Sequence, residues 1–287
     1  MATPMTAAET LAAMKLWGVP YREYSGWKTR GRDPEHGPFG PVNGIVIHHT
    51  GSDIQSDSYL KFLAVDGRGD LPAPLCNVST DMDGDLWLIA QGRANHAGEG
   101  SSGVLSHVVN EDYAGFVHEL KAGPDNTDGN AHFYGNEVRY DGGQPMTAKQ
   151  YAAATRWAAA VCHHHGWSAL SVIGHREWTL RKPDPAHCPM NQFRSTVAAL
   201  LKAGPTKPPV TPPVKPPVVT PPPTEDGMSA QDVEDGIDAY NSRFYSDKGT
   251  GGIYHAQEVK YRTDVLAAMK DQTDALKALA AAIAAKV

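Results

Sequence analysis

Apolar and polar positions along the chain fall into short runs with two different periods. Ile45 to His49 is apolar at consecutive positions and rich in β-branched residues, the pattern of a strand covered on both faces. Ser171 to Gly174 and Phe133 to Tyr140 read as further strands. Cys76 to Thr80 and Leu86 to Ala90 flank Asp83-Gly84, which predicts a β-hairpin. Helical spacing appears first at Thr6 to Trp17. Thr6 supplies the cap, Glu9 stands three residues on, and Ala7, Leu11 and Met14 share a face. Gly18-Val19-Pro20 stops that helix. Ser52 to Ala64 suits a helix capped by Ser52 or Asp53. Thr147 to His165 is the clearest helix, with a threonine cap, Tyr151, Ala154, Ala158 and Val161 along one side, and Gly166 beyond its end. Met190 to Lys202 closes the series. Tyr21 to Gly40 has neither period and reads as an irregular lead-in anchored by Trp27. Gly98 to Asn130 is glycine-dotted and weakly periodic, and a loop that long is expected to wall a cleft. Strands interleaved with helices predict an α/β fold over residues 1–203, a mixed central sheet flanked by helices on both sides.

Composition then changes abruptly. Residues 204–224 hold ten of the 22 prolines. Such a stretch favours extended polyproline II and builds no core, so it reads as a spacer of about 60 Å at about 3.1 Å per residue. Within residues 225–287, Val233, Ile237, Tyr240 and Phe244 recur at helical spacing. Val259, Leu266, Met269, Leu276, Ala280 and Ile283 follow a near-heptad stripe. This predicts a small helical hairpin, too small for a comfortable monomer and suited to self-association. Met228, just past the spacer, is a possible internal start. The module carries eleven acids against seven bases, which argues against an anionic membrane surface.

Bulk properties narrow the function classes. The 287 residues suffice for a real core, and a net charge of −6 disfavours nucleic acid as partner. Three irregularly spaced cysteines read as reduced thiols. Met1 to Glu9 has neither the basic start nor the apolar stretch of a secretory signal, and no apolar run is long enough to span a membrane. There is no Gly-rich phosphate loop, no HExxH and no Gly-x-Ser-x-Gly elbow.

The candidate chemistry lies where strands end. Ile45-Val46-Ile47 leads into His48-His49-Thr50, and Val172-Ile173-Gly174 leads into His175. Downstream come Lys182 and an acid, Asp184, held between Pro183 and Pro185. Two imidazoles and a carboxylate form a three-ligand zinc set with a fourth position left for water, as hydrolytic sites require. Because His48 and His49 lie on opposite faces of one strand, at most one faces the metal. His163-His164-His165 ends a helix, where imidazoles suit the negative pole, and reads as structural.

Four motifs in order carry a family resemblance: Ile-Val-Ile-His-His-Thr, Gly-Arg-Ala-Asn-His-Ala-Gly (Gly92 to Gly98), Gly-Asn-Glu-Val (Gly135 to Val138), and Gly-His-Arg-Glu followed by Lys-Pro-Asp-Pro. Over roughly residues 40–200 the chain resembles the type 2 N-acetylmuramoyl-L-alanine amidases, a zinc family that includes peptidoglycan-recognition proteins and phage endolysins. The likeness is strongest to endolysins of phages with actinobacterial hosts. It implies Zn2+ held by His48, His175 and Asp184, with Glu137 as general base and Lys182 donating to the developing oxyanion. It also implies His96, with Asn95 beside it, near the metal and in contact with substrate, a core histidine being the alternative reading of His96. Cys188 is the alternative third ligand, since members use an aspartate or a cysteine in this stretch; the family's lysine stands two residues before the ligand, which favours Asp184. Some members carry a tyrosine where this chain has Cys76-Asn77, so the assignment leans on Glu137, whose plain alternative is a strand carboxylate paired with Arg139.

The activity implied is cleavage of the amide between N-acetylmuramic acid and L-alanine in peptidoglycan, during host lysis. A chain without a signal would be made in the host cytoplasm and reach the wall through a holin or equivalent. A non-catalytic peptidoglycan receptor on the same fold and a cytosolic wall-fragment recycling amidase are the alternatives. The full ligand set argues against the first, and the spacer and tail against the second.

Overall fold

The computed structural model describes residues 2–205. The predicted linker, helical hairpin and internal start at Met228 lie outside the described residues. A six-stranded sheet crosses the middle of the fold. Its order is β1 (Tyr21–Glu23), β4 (Leu86–Leu88), β3 (Val78–Thr80), β7 (Phe133–Val138), β2 (Gly44–His49), β8 (Val172–Gly174). Only the hairpin pair β3–β4 is antiparallel; the other neighbours run parallel. The sheet is therefore mixed, and β2, buried at all six positions, lies between β7 and β8.

Side-chain alternation along β2 sorts the two faces. Ile45 and Ile47 join a core with α1 (Ala7–Trp17), α5 (Ala148–His165) and α7 (Met190–Ala203), to which Met14, Trp17, Trp157, Phe193 and Val197 contribute. Val46 points the other way, into a cluster with Phe133, Ile173, Trp178 and the α4 (Ser102–Asn110) residues Val104 and Val108. A third cluster is built by α3 (Asp57–Lys61) and the π-helical turn Phe62–Asp66, with Tyr59, Leu60 and Phe62 against Leu75, Cys76 and Ile89. Each fully buried branched side chain contributes about 1.5–3 kcal/mol, so the sandwich of sheet and helices holds the strand ends in place. The expected α/β architecture, helices on both faces, is the observed one.

Local signals placed most of the boundaries. Thr6 and Thr147 both form capping boxes, with Glu9 and Gln150, and Gly18 and Gly166 close the same helices in the left-handed conformation. Three expectations need correction. The helix expected from Ser52 starts later, at Asp57 with Ser56 as cap, and passes into the π turn. The lead-in holds β1 and a short α2 (Asp33–His36), with Trp27 buried as expected. The stretch Gly98 to Asn130 is not one long loop: it contains β5 (Glu99–Ser101), α4 and β6 (Asp125–Asp128), β5 and β6 pairing antiparallel. Its glycines obscured the pattern for a steric reason. A Cβ on Gly100 would lie 2.2 Å from the Trp178 ring, so the strand needs glycine where it crosses that indole. After β8 the chain passes directly into a short helix, α6 (His175–Trp178).

Candidate metal centre

His48 follows Val46 on the α4 side of β2, at the carboxyl end of the strand, where ligand sites of parallel sheets form. Glu137 stands beside it in register on β7. His175 opens α6, one residue past β8. The turn after α6 is folded back by Arg176, whose backbone N–H donates to the Asp184 carbonyl at 2.8 Å. The Arg176 guanidinium donates to the Pro185 and Cys188 carbonyls and pairs with Glu119. Asp184 thereby meets the two histidines. His48 Nδ1 lies 2.9 Å from His175 Nδ1, and Asp184 Oδ2 lies 3.1 Å from each. All three residues are buried.

The outer nitrogens fix the protonation pattern. His96 Nε2 lies 3.0 Å from the Phe133 carbonyl oxygen, which only accepts, so His96 donates there and presents Nδ1 as an acceptor. His48 Nε2, 3.0 Å from that Nδ1, is then the donor. His175 Nε2 likewise donates to the Ala97 carbonyl at 3.1 Å. Both Nδ1 atoms therefore turn lone pairs toward Asp184 Oδ2. Three lone-pair donors converging without a proton to share is the arrangement a cation satisfies, and each imidazole has the outer-layer acceptor that metal ligands need. Burial, reinforced by neighbouring His175, pushes the His48 imidazole down to about 4, keeping it neutral as a ligand must be. Burial would raise the Asp184 carboxyl, but His175 and His48 hold it well below the usual range.

Glu137 Oε1 approaches His48 Nδ1 at 4.0 Å, and its Oε2 has no partner among the described residues. Burial, with the Asp184 charge adding to it, raises this carboxyl to about 8, against the opposing pull of Lys182. Lys182 is exposed at the rim, and its charge reaches both Glu137 and His48. The alternative pairing of Glu137 with Arg139 does not occur: Arg139 reaches Asp81 at 3.4 Å.

The other expected residues separate clearly. His49 faces the opposite side, accepting from the Ala186 N–H at 2.9 Å and packing on Tyr140. Cys188 is 3% exposed and belongs to the helix-side core, outside the convergent set. His96 stands beside His48, near the convergent set, as the resemblance implies. Both His96 ring nitrogens are engaged behind His48, and the Asn95 amide donates to the Pro72 carbonyl at 2.7 Å. In the histidine tract, His163 packs on Trp17 and His165 stacks on Trp167, as a structural reading requires. Sequence reasoning missed the two carbonyls that orient the imidazoles, although Ala97 sits inside the Asn-His-Ala-Gly motif. It also missed Tyr59, whose buried phenol neighbours Glu137.

Among solved structures the chain is similar to a selenomethionine AmpD derivative, at 17% identity and a TM-score of 0.42 over 63% of this chain and 97% of that one. It is similar to the endolysin N-acetylmuramoyl-L-alanine amidase LysCS of Clostridium intestinale, at 12% and 0.41 over 62% and 95%. The Drosophila peptidoglycan recognition protein SA matches at 14% and 0.40 over 61% and 91%. Comparison with curated protein sequences returns no match. The model of the N-acetylmuramoyl-L-alanine amidase family matches residues 38–187, a span that takes in His48, Glu137, His175, Lys182 and Asp184. That span is more than half of the 287 residues, and the chain belongs to the N-acetylmuramoyl-L-alanine amidase family.

Proposed function

We propose that the protein is a zinc-dependent amidase that hydrolyses the bond between N-acetylmuramic acid and L-alanine in bacterial peptidoglycan. The observation that carries the reading is the convergence of His48, His175 and Asp184 on one point, proton-bearing nitrogens turned away, with Glu137 Oε1 4.0 Å from His48 Nδ1. Zinc bound there would act as a Lewis acid on the scissile carbonyl, activate the attacking water and favour the ionised form of the adjacent carboxylate. Glu137 accepts the proton of the attacking water and delivers it to the departing L-alanine nitrogen. Lys182, its charge already felt at Glu137, stabilises the oxyanion that develops on the carbonyl oxygen. His96 and the Ala97 carbonyl keep both imidazoles in the ligating tautomer.

The biological setting proposed is lysis of an actinobacterial host by a phage, with a holin-type partner giving access to the wall. The proline-rich spacer and the module past it support it over fragment recycling, since a small diffusing substrate needs no tether. Residues 225–287 would hold the catalytic domain near the wall, by binding it or by self-association, which raises local concentration. Digestion of isolated wall tests the chemistry. Chelation should abolish it, zinc should restore it, and mass spectrometry should find new lactyl and L-alanine termini. Glu137→Gln should keep its zinc and lose about 10²-fold or more in turnover. Cleavage elsewhere, or turnover unaffected by proven metal removal, would overturn the reading.

A further inference from the structure

Ten buried side-chain atoms have no hydrogen-bond partner among the described residues, and four of them share one small patch: Ser79 Oγ, Glu137 Oε2, and Arg139 Nε and Nη1. Strand register brings them together. Ser79 and Glu137 are paired neighbours on β3 and β7, so their side chains leave the same face of the sheet. Arg139, two residues past Glu137, continues the ladder through its N–H to the Thr80 carbonyl and projects to that face as well. Asp81, two past Ser79, meets Arg139 Nη2 there at 3.4 Å. Ser79 is 0% and Arg139 1% exposed, and the buried phenol of Tyr59 neighbours both Glu137 and Arg139.

Buried polar atoms rarely go unpaired, and orphans gathered on one patch rather than scattered call for a shared partner. The set offers a carboxylate acceptor, a hydroxyl that donates or accepts, and guanidinium donors. That is the mix of two to four contacts that holds an internal water. We infer that ordered water lodges between Ser79, Glu137 and Arg139, and that through it Ser79 acts as a positioning residue for Glu137. The water donates to Glu137 Oε2 and accepts from Arg139 or Ser79. The carboxylate is thereby held with Oε1 toward His48 and the reacting centre, and Oε2 is kept out of the reaction.

The water site stands on geometry alone; the positioning role rests on the amidase reading proposed above. A crystal structure of the zinc-loaded full chain, at a resolution that shows ordered solvent, should reveal density within hydrogen-bond distance of Ser79 Oγ and Glu137 Oε2. Ser79→Ala should lose part of that density while keeping its zinc content and melting temperature. On a soluble N-acetylmuramoyl-peptide its kcat should fall about tenfold with KM unchanged, because only the base is misplaced. No density at the site, or Glu137 Oε2 paired directly with a protein group, would overturn the water. Density present with an unchanged kcat in Ser79→Ala would overturn the positioning role. A wild-type chain without amidase activity would remove the function reading and the role with it, and the solvent density would still decide the site.

Discussion

Asp184 and Cys188 occupy one short turn, yet only the aspartate reaches the imidazoles, at 3.1 Å from each. The thiol is packed into the helix-side core, where burial pushes it up to about 12, far from the thiolate a zinc site needs. Asp184→Ala should therefore lose zinc, measured as metal content per chain, and all wall hydrolysis with it. Cys188→Ser should keep both, at the modest stability cost of a buried hydroxyl. Zinc retained in the first variant and lost in the second would transfer the ligand to Cys188. Sequence already favoured the aspartate through its step from Lys182, but that was a likeness of spacing. The physical reason is that Arg176 gathers the carbonyls of Asp184, Pro185 and Cys188, which sets the course of the turn.

At the scale of elements, the placement of His175 depends on α6, and α6 depends on a buried ion pair. Glu177 and Arg194 are both fully buried, with Glu177 Oε2 2.8 Å from Arg194 Nη1. The carboxylate also accepts from the Gly174 and Leu120 N–H groups, while the guanidinium donates to the Gly115 and Val172 carbonyls. One pair thus ties β8, α6, α7 and the segment before Lys121 together. Glu177→Gln would leave a buried guanidinium without its counter-charge, a defect of about 3–5 kcal/mol. The urea midpoint should fall accordingly at an unchanged slope, and zinc affinity should weaken because His175 is no longer held. A midpoint shift that, multiplied by the slope, amounts to less than about 1 kcal/mol would show the charge to be compensated elsewhere. The pairing was not readable beforehand: Glu177 lies in the Gly-His-Arg-Glu motif, but nothing joins it to Arg194 until α7 packs across β8.

For the whole molecule, the buried ionisable groups give the metal-free protein a stability optimum in pH. His48 and His49 are lowered from 6.5 to about 4 by burial, so their contribution is present above 6.5 and lost as pH falls toward 4. Glu137 is raised from 4.5 to about 8, so its contribution is present below 4.5 and lost as pH rises toward 8. Denaturation in chelator should show both limbs, and Glu137→Gln should remove the alkaline one; an alkaline limb that survives would assign it to another group. No helix among the described residues is long and apolar enough to cross a membrane. The sequence by itself determined the helices and strands with a clear period and cap, and the residue types of the site, because those signals are local. The ends of β2 and β8 could be read from their apolar runs, and so His48 and His175 could be named. Only the tertiary structure decided the rest. Whether a lone pair on His48 faces Asp184 depends on a carbonyl of β7, and whether Ser79 stands beside Glu137 depends on parallel register between strands far apart in the chain. Whether residues 98–130 are loop or layer depends on the Trp178 ring against which Gly100 must lie. Such relations exist only between segments, and no window of sequence contains them.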